Sequence, residues 1–147
     1  HDQFFLYPTF FHENSELIKP EKSELISLNS MEEDEEIVTL SVFAEIEEVI
    51  ELNKETELKA LEQFHIWSTR FIYKRLNWKP RNALNLIILR CHLLQQPQAL
   101  TVMPDYAGCK SWVELIEDYP VGVTTPVISN ARFTSMVSDI KNNLLSV

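Results

Sequence analysis

From Ile37 to Leu52 apolar and polar residues alternate. Val38, Leu40, Val42, Ala44, Ile46, Ile50 and Leu52 fall on one side, and Thr39, Ser41, Glu45, Glu47 and Glu51 on the other. A period of two over that length predicts a half-exposed strand whose acids keep the outer face wet. Glu48 interrupts the apolar side, which predicts a bulge or a break into two strands. Ala83–Gln95 is apolar on both faces over Leu84–Leu89, as a central strand should be, and Gln96-Pro97 is expected to end it. Three shorter strands are expected: Asp2–Tyr7, buried and stopped by Pro8, then Ala99–Met103, then Lys110–Ile116.

Helical spacing marks the remaining segments. Thr56 can cap a short helix Glu57–Phe64, and Ser68 or Thr69 one that reaches Trp78. Ser129 caps the clearest helix, where Phe133, Met136, Val137, Ile140 and Leu144 recur as one apolar stripe. Short helical stretches are expected at Ser15–Ile18 and Pro20–Leu28, turns or loops at Thr9–Glu13, Pro104–Gly108 and Pro120–Pro126, and a solvated loop at Glu32–Glu36. Strands and helices do not alternate regularly. The fold class expected is therefore α+β, with a mostly antiparallel sheet and helices packed on one face or at its ends.

Length and composition narrow this further. At 147 residues the chain suits a single domain, 1–147, with one core. It has no initiating Met and opens inside an apolar run, so an N-terminal segment is expected to be missing. Two glycines exclude Gly-rich phosphate loops of the P-loop or Rossmann kind. No apolar run approaches the roughly 20 residues that span a bilayer, and no charged-then-apolar leader opens the chain. With no export signal, Cys91 and Cys109 read as reduced thiols in a cytoplasmic protein.

Charge is unevenly distributed. The net charge of −9 argues against non-specific nucleic-acid binding by the chain as a whole. Yet Gln63 to Pro104 holds no acidic residue and carries Arg70, Lys74, Arg75, Lys79, Arg81 and Arg90. Arg70, Lys74 and Trp78 are spaced for one helix face, and a basic edge with aromatics can contact phosphates and stack on bases. The alternative is that these cations offset the acidic strand within the fold. Arg90 and His92 share a strand face with Leu86 and Ile88. They either floor a site near the strand end or snorkel to water there.

The opening block, His1 to Glu13, combines aromatics with ionisable groups. His1 and His12, with Glu13, could serve as general base, metal ligand or phosphate contact. The spacing matches no compact zinc pattern, so no metal and no cofactor are expected. Cys109 beside Lys110 lacks the surroundings of a catalytic thiol.

Several blocks resemble the prokaryotic family known as domain of unknown function 1802. They are His1-x-x-Phe4-x-Leu6-Tyr7-Pro8-Thr9-x-x-His12, Leu17-x-Lys19-Pro20, His65-Ile66-Trp67, Leu89-Arg90-x-x-x-Leu94 with Pro97, and Tyr106-x-Gly108-Cys109-Lys110-Ser111-Trp112-Val113-Glu114-Leu115. The resemblance runs from His1 to about Leu115. It implies a domain without an established activity, some of whose relatives sit beside restriction-endonuclease-like domains. The family blocks contain His1, Tyr7, Pro8, Thr9, His12, Arg90 and Lys110. Of these, His1, Tyr7, Thr9, His12, Arg90 and Lys110 are the expected binding pocket. The leading expectation is an accessory binding module for nucleic acid or a nucleotide-like anion, linked to restriction or defence systems. The alternatives are a small hydrolase or transferase using His12 and Lys110, and a structural protein–protein interaction domain. Expected partners are accordingly nucleic acid or a protein, with no membrane.

Overall fold

The computed structural model describes residues 2–8, 15–24, 36–78, 83–106 and 112–147. Its sheet contains β1 (Gln3–Phe5), β2 (Ile37–Leu52), β3 (Leu84–Thr101) and β4 (Thr124–Pro126). The strands lie in the order β1-β2-β3-β4 and run antiparallel. Among the described residues the α-helices are α1 (Glu55–Ala60), α2 (Thr69–Leu76) and α3 (Asn130–Leu145). This is the expected α+β class.

The chain forms two compact units. One takes in the described residues of His1–Glu13, Met31–Glu45 and Leu89–Ile128. The other takes in those of Asn14–Ser30, Ile46–Ile88 and Ser129–Val147.

The first unit closes over Val38, Leu40, Leu100 and Tyr106, with Phe5, Tyr7, Val113, Leu115 and Tyr119 against them. β1 pairs Gln3, Phe4 and Phe5 with Glu45, Ala44 and Phe43. The Phe5 and Phe43 rings meet edge to face at 5.7 Å. The expected strand Lys110–Ile116 is not formed over Trp112–Ile116, which is irregular. Val113 and Leu115 still reach the core in alternation, but the Ile116 N–H donates to the buried Tyr106 hydroxyl (3.0 Å). A side chain thus takes a donor that a strand neighbour would otherwise take.

The second unit closes over Leu52, Leu58 and Leu61, joined by Ile72, Tyr73 and Leu76 of α2 and Ile140 and Leu144 of α3. The Ser129 cap is formed, its hydroxyl accepting the Arg132 N–H (3.3 Å). Along α3 the stripe is half-buried at Phe133, Val137, Ile140 and Leu144, while Met136 is exposed. α1 begins ahead of the expected Thr56 cap. The Glu57 carboxylate reaches back to the N–H groups of Asn53 (2.8 Å) and Lys54 (2.7 Å), satisfying donors that the helix start leaves open. The expected Glu57–Phe64 helix then continues only as a 3₁₀ turn, Glu62–Phe64.

Other expectations are corrected by the ladders. β2 runs unbroken through Glu48, whose inward carboxylate meets Lys141 of α3 at 2.6 Å. Both side chains are more than a third exposed, so this pair contributes at most about 1 kcal/mol, enough to make the break unnecessary. β3 does not stop at Gln96-Pro97. It passes through Pro97 and absorbs the expected Ala99–Met103 strand as far as Thr101. Gln95 donates its N–H to Val123 O (3.0 Å), the residue just before β4. Two residues on, the same side of β3 carries Pro97 past the last β4 partner, where no ladder donor is required. The expected loop Pro120–Pro126 contains β4 itself, entered through Gly122 at φ +63° and paired as Leu94↔Thr124 and His92↔Pro126. Of the expected helical stretch Pro20–Leu28, Pro20–Lys22 is a 3₁₀ helix and Glu24 is α-helical, while its last four residues lie outside the described set, as do Thr9–Glu13 and most of the Glu32–Glu36 loop.

Leu40 is fully buried, so Leu40→Ala should lower unfolding free energy by about 2–5 kcal/mol. The exposed neighbour Thr39→Ser should change it by no more than about 0.5 kcal/mol. Urea titrations of the two variants measure the contrast.

Candidate functional site

Among the described residues, exposed cations and aromatic side chains occur together on and beside α2. Its start is held by neighbouring backbone. Ile18 and Trp67 form a β-bridge, with Lys19 N–H to Ile66 O and Ser68 N–H to Leu17 O, both 2.8 Å. The Ser68 hydroxyl accepts the Phe71 N–H (3.3 Å) and donates to Glu16 O (3.0 Å), so one side chain caps the helix and ties it down. At the far end, the Asn77 side chain donates to Tyr73 O (2.9 Å).

Helical spacing then sorts α2 into faces. Ile72, Tyr73 and Leu76 enter the core. Phe71, on the same helix, is not part of that cluster. Phe71 instead stays half-buried, its ring 5.2 Å from that of Trp67. Lys74 points away from the core, with Arg70 and Arg75 to either side, and all three are exposed. Trp67 is 42% and Trp78 63% exposed. Among the described residues none forms an ion pair with Arg70, Lys74 or Arg75. Lys79 and Arg81, expected to extend this edge, lie outside the described residues.

Of the six residues expected to line a pocket, His1, Thr9, His12 and Lys110 lie outside the described residues. Tyr7 packs on the first unit's core, its ring 6.5 Å from that of Tyr106. Burial, with Tyr106 as a smaller contributor, pushes the Tyr7 hydroxyl above its ordinary pKa, so it remains a neutral phenol. Arg90 is 8% exposed and sits in the middle of β3, because that strand continues to Thr101. It neither snorkels to water nor marks a strand end. A buried guanidinium requires partners; Arg90 is held by interactions within the protein, but its Nη1 makes no hydrogen bond.

A grouping that pattern reasoning missed lies across β1, β2 and β3. The Gln3 side-chain amide donates to Glu45 Oε1 (2.7 Å), and His92 Nε2 lies 3.3 Å from Glu45 Oε2 without hydrogen-bond alignment. His92 is largely buried, while Glu45 keeps about two-fifths of its side chain exposed. The contact is an ion pair only when the imidazole carries its second proton. Its signal in the sequence was weak, since Glu45 belongs to an acidic alternation and only the strand register assigns it Gln3.

In the second unit His65 borders a small hollow with Glu62, Thr69 and Tyr73, roomy enough for about one water molecule. Thr69 donates its hydroxyl to Glu62 (3.0 Å). The Lys19 ammonium donates to the carbonyls of Glu62 and His65, the latter at 3.0 Å. Burial lowers the His65 pKa, the nearby Lys19 charge lowers it further, and Glu62 and a backbone contact at Trp67 oppose them. The imidazole is therefore neutral at pH 7. The hollow is a packing feature stapled by Lys19 and is too small to admit a substrate. Among the described residues no group of three or more His, Cys, Asp or Glu side chains could hold a metal, and no helix is long and apolar enough to cross a membrane.

Comparison with known proteins agrees with the motif blocks. The family described as Domain of unknown function (DUF1802) matches residues 1–139 of the 147. No curated protein and no solved structure matches the chain.

The His65 pKa is lower in the folded than in the unfolded chain, so its effect on stability follows a definite sign. Above the ordinary imidazole value of about 6.5 both states are neutral and stability is complete. As pH falls from there through the folded-state value, only the unfolded chain takes up the proton, and stability drops. His65→Gln should remove that part of the slope in urea titrations between about pH 5 and 7.5. Cys91 is a free, half-buried thiol whose pKa burial raises. At pH 7 it should react with iodoacetamide several-fold more slowly in the folded protein than in denaturant.

Proposed function

We propose that this chain, which belongs to the family described as Domain of unknown function (DUF1802), is a non-catalytic binding module that holds nucleic acid on the outward face of α2. One observation carries the reading. Three exposed cations, Arg70, Lys74 and Arg75, lie on a helix that has no acidic residue of its own, and the exposed Trp67 and Trp78 precede and follow it in the chain. Among the described residues Arg70, Lys74 and Arg75 form no ion pair, although the chain carries a net charge of −9. The cations of α2 remain available to phosphates, which supply most of the free energy of sequence-independent binding. The reading includes a cytoplasmic location, in keeping with the free Cys91 thiol, and a role beside prokaryotic restriction or defence enzymes.

Few phosphates can be contacted at once. Affinity should therefore lie in the non-specific range of about 10⁻⁴–10⁻⁶ M and fall steeply with salt. Lys74→Glu with Arg75→Glu should abolish most of the binding and flatten the log–log salt slope by about 2. The urea midpoint should stay unchanged, because both side chains are exposed. Anisotropy titrations of labelled DNA and RNA over a salt series measure each quantity. No binding at low salt, or binding indifferent to the double substitution, would remove the reading.

A further inference from the structure

We infer that the nucleic acid held on α2 is single-stranded, and that unpaired bases stack on Trp67 and Trp78 while Arg70, Lys74 and Arg75 hold the phosphates between them. This rests on the nucleic-acid reading above and narrows it to one ligand class. A cationic face alone would suit any polyanion. Here the cations are flanked by the two indoles, 42% and 63% exposed. Tryptophan carries the largest apolar surface of any side chain, and leaving two exposed just before and after one cationic helix forgoes burial that a core would otherwise gain.

Their placement is held by local structure. The backbone of Trp67 is fixed by the bridge to Ile18, and its ring leans on Phe71. Trp78 follows the helix end, where its N–H donates to Arg75 O (3.2 Å). The helix between them, Thr69–Leu76, is about 12 Å long. One base cannot touch both rings, so two bases of one strand would be engaged with phosphates in between. Duplex bases already stack on one another and present only their edges, so an indole has no free base face to meet there. Unpaired bases expose both faces, and stacking on aromatic side chains is sequence-tolerant because every base has a π-face. The opposite end of the chain's charge range supports the same choice. Acidic β2 and a net charge of −9 disfavour a ligand that must lie over a wide area of protein, as a duplex does.

The test uses four labelled ligands of about 12 nucleotides: single-stranded DNA, single-stranded RNA, a DNA duplex, and an abasic sugar–phosphate strand of the same charge. Single strands with bases should bind roughly tenfold tighter than the abasic strand and quench tryptophan fluorescence. Trp78→Ala should lose roughly tenfold on the single strands and nothing on the abasic one, with Trp78→Phe recovering part of the loss. Trp67→Ala should behave alike, with circular dichroism confirming the fold. Because the abasic comparison alters only the ligand, it stands whether or not a variant folds. Equal binding of abasic and complete strands, preference for the duplex, or indifference to Trp78→Ala would overturn the inference while leaving the nucleic-acid reading intact. Binding of none of the four would remove both.

Discussion

The pairing of β2 with β3 is the interaction on which the rest of the structure depends. β1 and β4 contribute three residues each and could not persist as strands without a long neighbour. β1 hangs on Phe43–Glu45 of β2, and β4 on His92–Leu94 of β3. Both cores also draw on both long strands. Val38 and Leu40 of β2 and Leu100 of β3 belong to one, while Ile50 and Leu52 of β2 and Leu84 and Leu86 of β3 belong to the other. A two-stranded ribbon is marginal in water by itself, so this pairing needs apolar cover. Val113, Leu115 and Tyr119 supply it in one unit, and α1, α2 and α3 in the other. The outer edge is blunted by Pro126, which has no N–H to offer a further strand.

Long strands with strict alternation also force charges into places a shorter strand could avoid. Glu48 and Arg90 both arise in this way, and each has a partner. For Glu48 the solution is cheap, because both it and Lys141 retain water contact and the carboxylate is never fully desolvated. For Arg90, at 8% exposure, the interactions must be made within the protein. Placing Arg90 among candidate binding residues therefore competes with a simpler role as a buried charge held by partners inside the protein, although its Nη1 is left without a hydrogen bond.

What could be read from the sequence follows the range of the forces involved. The extent of β2 was legible because the even-numbered positions from Val38 to Leu52 stay covered while most odd-numbered ones are exposed; Phe43 and Glu45 depart from that alternation. The caps Ser68 and Ser129 were legible because capping is a contact over three residues. Pro97 misled because its cost depends on whether a neighbour needs its N–H, and that neighbour, β4, is a three-residue strand with little signal of its own. The segment after Trp112 misled in the opposite way, since its alternation is real but its partner is a tyrosine hydroxyl. The Gln3–Glu45–His92 grouping depends on register between segments far apart in the chain, which periodicity does not encode. Of the proposed nucleic-acid edge, the helix and its cations were legible from spacing, while the exposure of Trp67 and the inward turn of Tyr73 were not.

The same acid-free stretch met two fates, and that distinction decides how its charge should be interpreted. Arg90 is buried in β3 and is not placed for direct contact with a ligand. Arg70, Lys74 and Arg75 stand in water on α2. Counting cations along the sequence treats the four alike, whereas exposure separates structural charge from available charge. Net charge acts differently again. At physiological ionic strength the Debye length is about 8 Å, so the distributed acids weaken long-range attraction of a polyanion but reach little into a contact made by three adjacent cations. A polyanion would then be repelled in general and held in one place, with affinity kept weak by the few phosphates involved. On the proposed reading, stacked bases would add what a few phosphates do not, and the exposed Trp67 and Trp78 before and after α2 are the groups suited to provide it.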